Sequence, residues 1–594
     1  MMRSERSAWL SKIVAWPLVM LTAGGLAVAA PLGASPTILR SSEIAVGMTG
    51  VGRTVTLGTR VVEFQVHVLG KLKNAGPAGD LILFRASGPV LQRVGGLAAG
   101  MSGSPIFLQG RLAGAFSYSF QATDPFVGLF TPIEDMLKDL PPGPSASHPG
   151  PRTFAIAPVD LGGRTIRRIT LAERPALPAL RSDTVVAVPA ATPLFVSGLG
   201  AAGLETLGRL LEPMGILPME GSGPADLPSS LRLEPGSAIG VGLMQGDISA
   251  YAIGTLTYRD GNRILAFGHP FADVGPARYL LTNATIFQTI RGLARNLNVG
   301  AAGAIVGTIS EDRPAAIGGT IGRYPRVFGV RVRVTDADTG ISRRFNFQVV
   351  TSKALAPALV MLGAQEAIER ALNRSGEGTA MVHMALRGRE LADSIVRENL
   401  FYSDTDIAQQ ALTEVPQAMR LMFDNDFADV GPSDMDMDVR VTRQQETAAI
   451  TDVEIMKAPV SPGDAVVVQV KLRPFRGAPR TEQVALTVPA DFPPGPAMLV
   501  VRGGGLSSML PPSLAGVLTS AQSLSTSRTL TEAITAFERG EKNTDVIVEL
   551  VGSTQHVSSS GASGSATRAT ATQTTPWVLH GRFQVPLVIG GGVR

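Results

Sequence analysis

Gly100-Met101-Ser102-Gly103-Ser104-Pro105 is the stretch of this chain best suited to do chemistry. A serine hydroxyl becomes a nucleophile when a sharp turn presents it and a base can take its proton. Backbone amides close by must also aim at the oxyanion that develops on the attacked carbonyl. Glycines on both sides of Ser102 permit the backbone angles of such a turn, and Pro105 fixes its exit. A hairpin should follow at once, from Ile106-Phe107-Leu108 through Gly110-Arg111 to Leu112–Tyr118. The matching base is sought among six histidines. His269 lies in Phe267-Gly268-His269-Pro270-Phe271, directly after a hairpin whose turn is Asp260-Gly261. Neutral imidazole is the usual partner of a serine nucleophile near pH 7. His67 and His383 alternate with apolar neighbours and read as polar-face residues of strands. His148 and His556 fall in loops, and His580 has no partner motif. Alone, the hexamer also fits a tight turn with an idle serine, and His269 a buried ring satisfied by backbone.

The elements that must position these groups read as β-strands. Val62, Phe64, Val66 and Val68 alternate with Glu63, Gln65 and His67, and Leu81–Phe84 is a fully buried strand. The pattern returns from Ala238 to Val350, with a hairpin of 252–258 and 263–267 around Asp260-Gly261. With 66 Gly and 42 Pro in 594 residues, short strands and many turns outweigh long helices. Helices are expected near Leu204–Leu211, from Pro357 to Arg374, and at 405–423 with a break at Pro416. Ser461-Pro462-Gly463-Asp464 followed by alternating Val466, Val468, Val470 and Leu472 reads as a β-sandwich module. Thr529 and Glu532 form a capping box for a short helix ending at Gly540.

The resulting organisation is a signal peptide at 1–29, a serine-bearing half at 35–140, and a linker with inserted segment at 141–237. A histidine-bearing half at 238–355 and a mainly helical segment at 356–435 follow. A β-sandwich-like module at 436–505 and a small C-terminal module at 506–594 with a low-complexity loop at 553–576 complete it, and residues from about 436 onward should fold separately. Arg3, Arg6 and Lys12, then an apolar run to about Ala30 with Ala27-Val28-Ala29, give the features of an export signal. The same run could remain as an uncleaved anchor, the one route to membrane contact. The expected location is therefore the periplasm or cell envelope, or outside the cell. Without cysteine, disulfides, thiolate metal sites and a cysteine nucleophile are excluded. The net charge of +4 with no basic tract argues against nucleic acid. Scattered histidines and the lack of His-Glu-x-x-His argue against a metal site, and no cofactor is expected.

Together the two segments resemble the SpoIVB peptidase family. Gly100–Pro105 matches its serine signature, and Gly254-Thr255-Leu256-Thr257-Tyr258 followed by Gly268-His269 matches its histidine segment. The resemblance covers about residues 41–350 and is closest to a longer, exported branch in which the serine segment comes first. It implies a trypsin-like double β-barrel, here in permuted order; the expected fold is mainly β, with the barrels followed by the sandwich-like module and small α/β C-terminal part read from the residues above. It implies endopeptidase activity on a protein or peptide, with Ser102 as nucleophile, His269 as base, and the amides of Gly100 and Ser102 as oxyanion donors. The family acid ahead of the serine is missing: the region reads Ala86-Ser87-Gly88-Pro89-Val90. Asp273, or alternatively Asp312, is the candidate to orient the imidazole. By fold analogy Gly96, Ser117 and Tyr118 would line the substrate site. With no acid at Gly96, cleavage after uncharged residues is expected. The competing reading is a catalytically inactive scaffold or binding protein of the envelope that kept the peptidase fold.

Overall fold

In the computed structural model, residues 36–594 are described except 77–78, 121–122, 141–151, 162, 173–181, 191, 293–294, 457–458, 505–526, 553–567 and 591–594. The expected signal peptide, His148 and His556 lie outside the described residues.

The serine-bearing half supplies β1 (Thr49–Val55), β2 (Val61–Leu72), β3 (Leu81–Ser87), a two-residue β4 (Ala98–Ala99), β5 (Pro105–Leu108), β6 (Arg111–Phe120) and β7 (Val127–Pro132). Antiparallel pairing runs β5-β1-β2-β3-β7-β6 and returns from β6 to β5, closing a six-stranded barrel with no free edge around the ring. Alternation in β2 puts Phe64, Val66 and Val68 inside, while Leu81–Phe84 of β3 are all fully buried. Next come β8 (Arg152–Leu161), β9 (Arg164–Leu171) and β10 (Thr184–Pro189), which extend the same sheet beyond β6.

After β11 (Pro193–Ser197) and β12 (Leu217–Glu220) comes a second ring. It is built from β13 (Ala238–Gly246), β14 (Ser249–Asp260), β15 (Arg263–Ala266), β16 (Gly275–Ile290), β17 (Asn296–Arg313) and β18 (Ala316–Ile321). Pairing β14-β15-β18-β17-β16-β13 closes through β13–β14, so this half is a six-stranded antiparallel barrel too. The fold is thus a mainly β, trypsin-like double barrel with the serine barrel first in the chain.

From the second barrel the sheet continues through β19 (Val327–Asp336) and β20 (Ser342–Val350) to β21 (Gly378–Gly388), β22 (Ile395–Ser403) and β23 (Pro432–Thr442), in the order β20-β19-β23-β21-β22. The segment 356–435 is therefore not mainly helical. Helices Ala356–Leu372, Ile407–Gln410 and Val415–Phe423 share it with these strands. The signal for β21 is its period of two, with Ala380, Val382, Met384 and Leu386 buried and His383 half exposed. The module boundary at 436 falls inside β23, which lies between β19 and β21.

Two four-stranded sheets follow, made from β24 (Thr447–Ile455), β25 (Ala465–Pro474), β26 (Arg480–Thr487), β27 (Gly495–Gly503), β28 (Asp545–Gly552), β29 (Arg568–Thr574), β30 (Val578–His580) and β31 (Arg582–Ile589). Val466, Val468, Val470 and Leu472 of one sheet share a core with Leu499, Val501, Val546 and Val548 of the other. Segments 436–505 and 506–594 thus contribute to one sandwich. Arg568–Thr574, inside the expected low-complexity loop, form β29 because they pair with β28.

Candidate active site

Two successive turns present Ser102. Met101 N–H donates to Ala98 O (3.0 Å) and Ser104 N–H to Met101 O (3.0 Å), with Gly100 and Gly103 at φ 89° and 92°. Those positive φ values are what glycine supplies at the third position of such turns. Gly103 N–H donates to Phe116 O (2.8 Å), and Ser104 Oγ to Met101 O (2.6 Å). The amides of Gly100 and Ser102 are the ones these turns do not use.

The second barrel holds the turn in place. Just before it, β4 pairs in parallel with Asn296 and Leu297 of β17, and Asn296 Nδ2 donates to Gly95 O (2.8 Å). On the other side Thr255 N–H donates to Ser102 O (2.8 Å) and Thr257 Oγ1 to Gly103 O (2.7 Å). Thr255 and Thr257, whose roles the sequence analysis did not assign, are therefore the side of β14 that grips the serine loop. The signal was their spacing of two, which puts both on one face of a strand. The contact leaves no slack: a Cβ on Gly103 would lie 2.1 Å from Thr255 O and 2.5 Å from Phe267 N.

His269 leaves the second barrel through two consecutive left-handed residues, Phe267 (φ 70°) and Gly268 (φ 72°). For a phenylalanine this is strain, held by burial of the ring against Phe271 in an edge contact at 6.5 Å. Thr131 Oγ1 lies 2.7 Å from Gly268 O and 2.8 Å from Ser117 Oγ. With one proton to give, Thr131 donates to the carbonyl and accepts from Ser117. The first barrel thereby fixes the loop of the histidine, as the second fixes that of the serine.

The imidazole Nδ1 is 2.7 Å from Pro270 O. A carbonyl can only accept, so Nδ1 carries the proton and the Nε2 lone pair is left for base chemistry. His269 is 3% exposed and Ser102 0%. Among the described residues neither Ser102 Oγ nor His269 Nε2, both buried, has a hydrogen-bond partner, so the two do not bond each other. Burial pulls the imidazole pKa down to about 4, against the raising effect of the Pro270 and Ala190 carbonyls.

No carboxylate bonds the ring among the described residues. Asp312 accepts instead from the amides of Phe271 (2.7 Å) and Ala272 (2.8 Å), the loop that follows His269. Burial raises its pKa to about 6 even with those donors. Asp273 sits in the same loop at φ 56°, exposed.

Ala98 and Ala99, which lead into the serine turn, wall a cavity of about 120 Å³ together with Ser119, Phe120, Ala190 and Arg295. Among the described residues Arg295 is the one charged side chain on that wall, and burial lowers its pKa. Gly96 (φ 116°) stands behind it, where a Cβ would meet Pro125 O at 2.6 Å. Ser117 and Tyr118 are buried on β6.

No curated protein and no solved structure matches this chain. A family model does: residues 32–137 match SpoIVB peptidase S55, a span that contains Ser102 and stops short of His269. Over that span the serine-bearing part of the chain is similar to the SpoIVB-type serine peptidases.

Proposed function

We propose that this chain is an exported serine endopeptidase in which Ser102 and His269 act as nucleophile and base. Ser102 Oγ attacks the substrate carbonyl while His269 Nε2 takes its proton, and the amides of Gly100 and Ser102 hold the oxyanion. Collapse expels the amine, which leaves with the proton from the imidazolium, and a serine ester remains. Water repeats the sequence and frees the enzyme. The Pro270 carbonyl stands where a triad carboxylate would orient the ring. Being neutral, it stabilises an imidazolium less than a carboxylate does, and a slow enzyme is expected.

The observation that carries this reading is the pair of unpaired buried atoms, Ser102 Oγ and His269 Nε2. Both are atoms the reaction needs free, the hydroxyl to attack and the imidazole lone pair to take its proton. Export rests on residues 1–29, with action in the periplasm or envelope. The cationic wall of the cavity supports rejection of Lys and Arg before the cleaved bond. Digestion of a peptide library with mass-spectrometric readout tests the reading. Cleavage after uncharged residues, lost in Ser102→Ala, is expected; no Ser102-dependent cleavage refutes the activity, and cleavage after Lys or Arg refutes the specificity. Complete burial of Ser102 favours the second reading, a scaffold that kept the fold without turnover.

A further inference from the structure

We propose that Thr184–Ala190 of this chain lies in the substrate groove of the serine site and holds the resting protein closed. The proposal rests on the peptidase reading above. Strand β5 pairs with β6 only as far as Ala115, so the same edge of β6 is left open further along. An extended peptide binds such an edge by adding a strand. Here β10 does so, antiparallel, with Ala187 opposite Phe120, Val188 opposite Ser119 and Pro189 opposite Tyr118. Ala190 N–H then donates to Ser117 O at 2.7 Å. In that register Pro189 falls at the position between hydrogen-bonded pairs, where its missing N–H costs the ladder nothing.

The strand ends at the chemistry. Ala190 is 1% exposed and walls the cavity beside Ala98 and Ala99, which lead into the serine turn. It therefore sits where the residue before a cleaved bond would sit. An occupant accounts for the burial of both Ser102 and His269. Being part of the chain, it competes with any free peptide at high effective concentration. A substrate must displace it.

Ala190→Pro removes the donor to Ser117, and Val188→Pro removes the donor at the next hydrogen-bonded pair, so either variant that folds by circular dichroism serves. Two readouts are needed in the full-length protein: the rate of Ser102 labelling by a fluorophosphonate, and binding of the synthetic peptide Thr-Val-Val-Ala-Val-Pro-Ala. The variants should label at least tenfold faster than wild type and bind the peptide, which wild type should not. The peptide should slow their labelling. Labelling at the wild-type rate with no peptide binding overturns the proposal and leaves the peptidase reading standing. Peptide binding by the variants alone, with no labelling in any protein, supports the filled groove and counts against catalysis.

Discussion

Burial disfavours the charged imidazole of His269 and pulls its pKa from the ordinary 6.5 down to about 4. As a base it must be neutral, so the acidic limb of kcat/KM should fall well below pH 6.5. A limb at 6.5 or above would contradict the buried site. The same shift links to stability: between about pH 4 and 6.5 the unfolded chain holds a proton that the folded chain does not. Acidification through that window should therefore lower the denaturation midpoint, and His269→Gln should remove that part of the dependence. Asp312 makes a second test. It holds two amides of the loop after His269, and Asp312→Ala should cost about 3 kcal/mol or more and lower kcat more than it changes KM. Unchanged kcat would show that the loop needs no such anchor. At this scale the residue types of the site were legible in Ser102, Gly100 and His269, because their local patterns are unusual. The role of Asp312 as a loop anchor was not, since its partners lie about forty positions away and are backbone amides, which carry no sequence signature.

Elements fix where the loops of those residues lie. Gly103 and Gly110 both have positive φ, 92° and 75°, yet their surroundings differ. A Cβ on Gly110 meets nothing within 4 Å, while one on Gly103 runs into Thr255 O and Phe267 N of the second barrel. Gly110→Ala should cost about 1–2 kcal/mol of backbone strain and leave labelling of Ser102 intact. Gly103→Ala should push the serine turn off β14 and abolish labelling. Equal behaviour of the two variants would mean that the turn is not gripped by the second barrel. Strands with a clean alternation, such as β2 and the sequence around His383, are legible because one face is wet. The Asp260-Gly261 turn is legible because its glycine must take φ 60°. The expectation of a mainly helical 356–435 passes over β21, legible as it is around His383, and Pro416, read as a break, lies in the first turn of the helix Val415–Phe423. Helix Leu530–Glu538 begins at Thr529, whose side chain accepts from Glu532 N–H at 3.2 Å, as the capping pattern requires.

Across the whole molecule, the two loops of the site are each positioned by the opposite barrel, so catalysis should be lost whenever the barrels part. The C-terminal region is not a detached appendage. Phe537 and Ala533 pack in the core that also contains the second barrel and the sheet beyond it, and Arg397 donates to the carbonyls of Glu538, Gly540 and Glu541. Cutting before Met435 would also sever β23 between β19 and β21. Truncation there should leave a chain with a clearly lowered melting temperature, whereas an unchanged melting temperature would show that the sandwich folds independently. No sequence pattern announces such a tie, because β23 and the helix Leu530–Glu538 meet partners far away in the chain. If Ser102 is a nucleophile served by His269, a fluorophosphonate should label it covalently. Wild type should label slowly and Ala190→Pro faster, His269→Ala at a small fraction of either rate, and Ser102→Ala not at all. Labelling of wild type and Ala190→Pro no greater than that of Ser102→Ala would contradict the account.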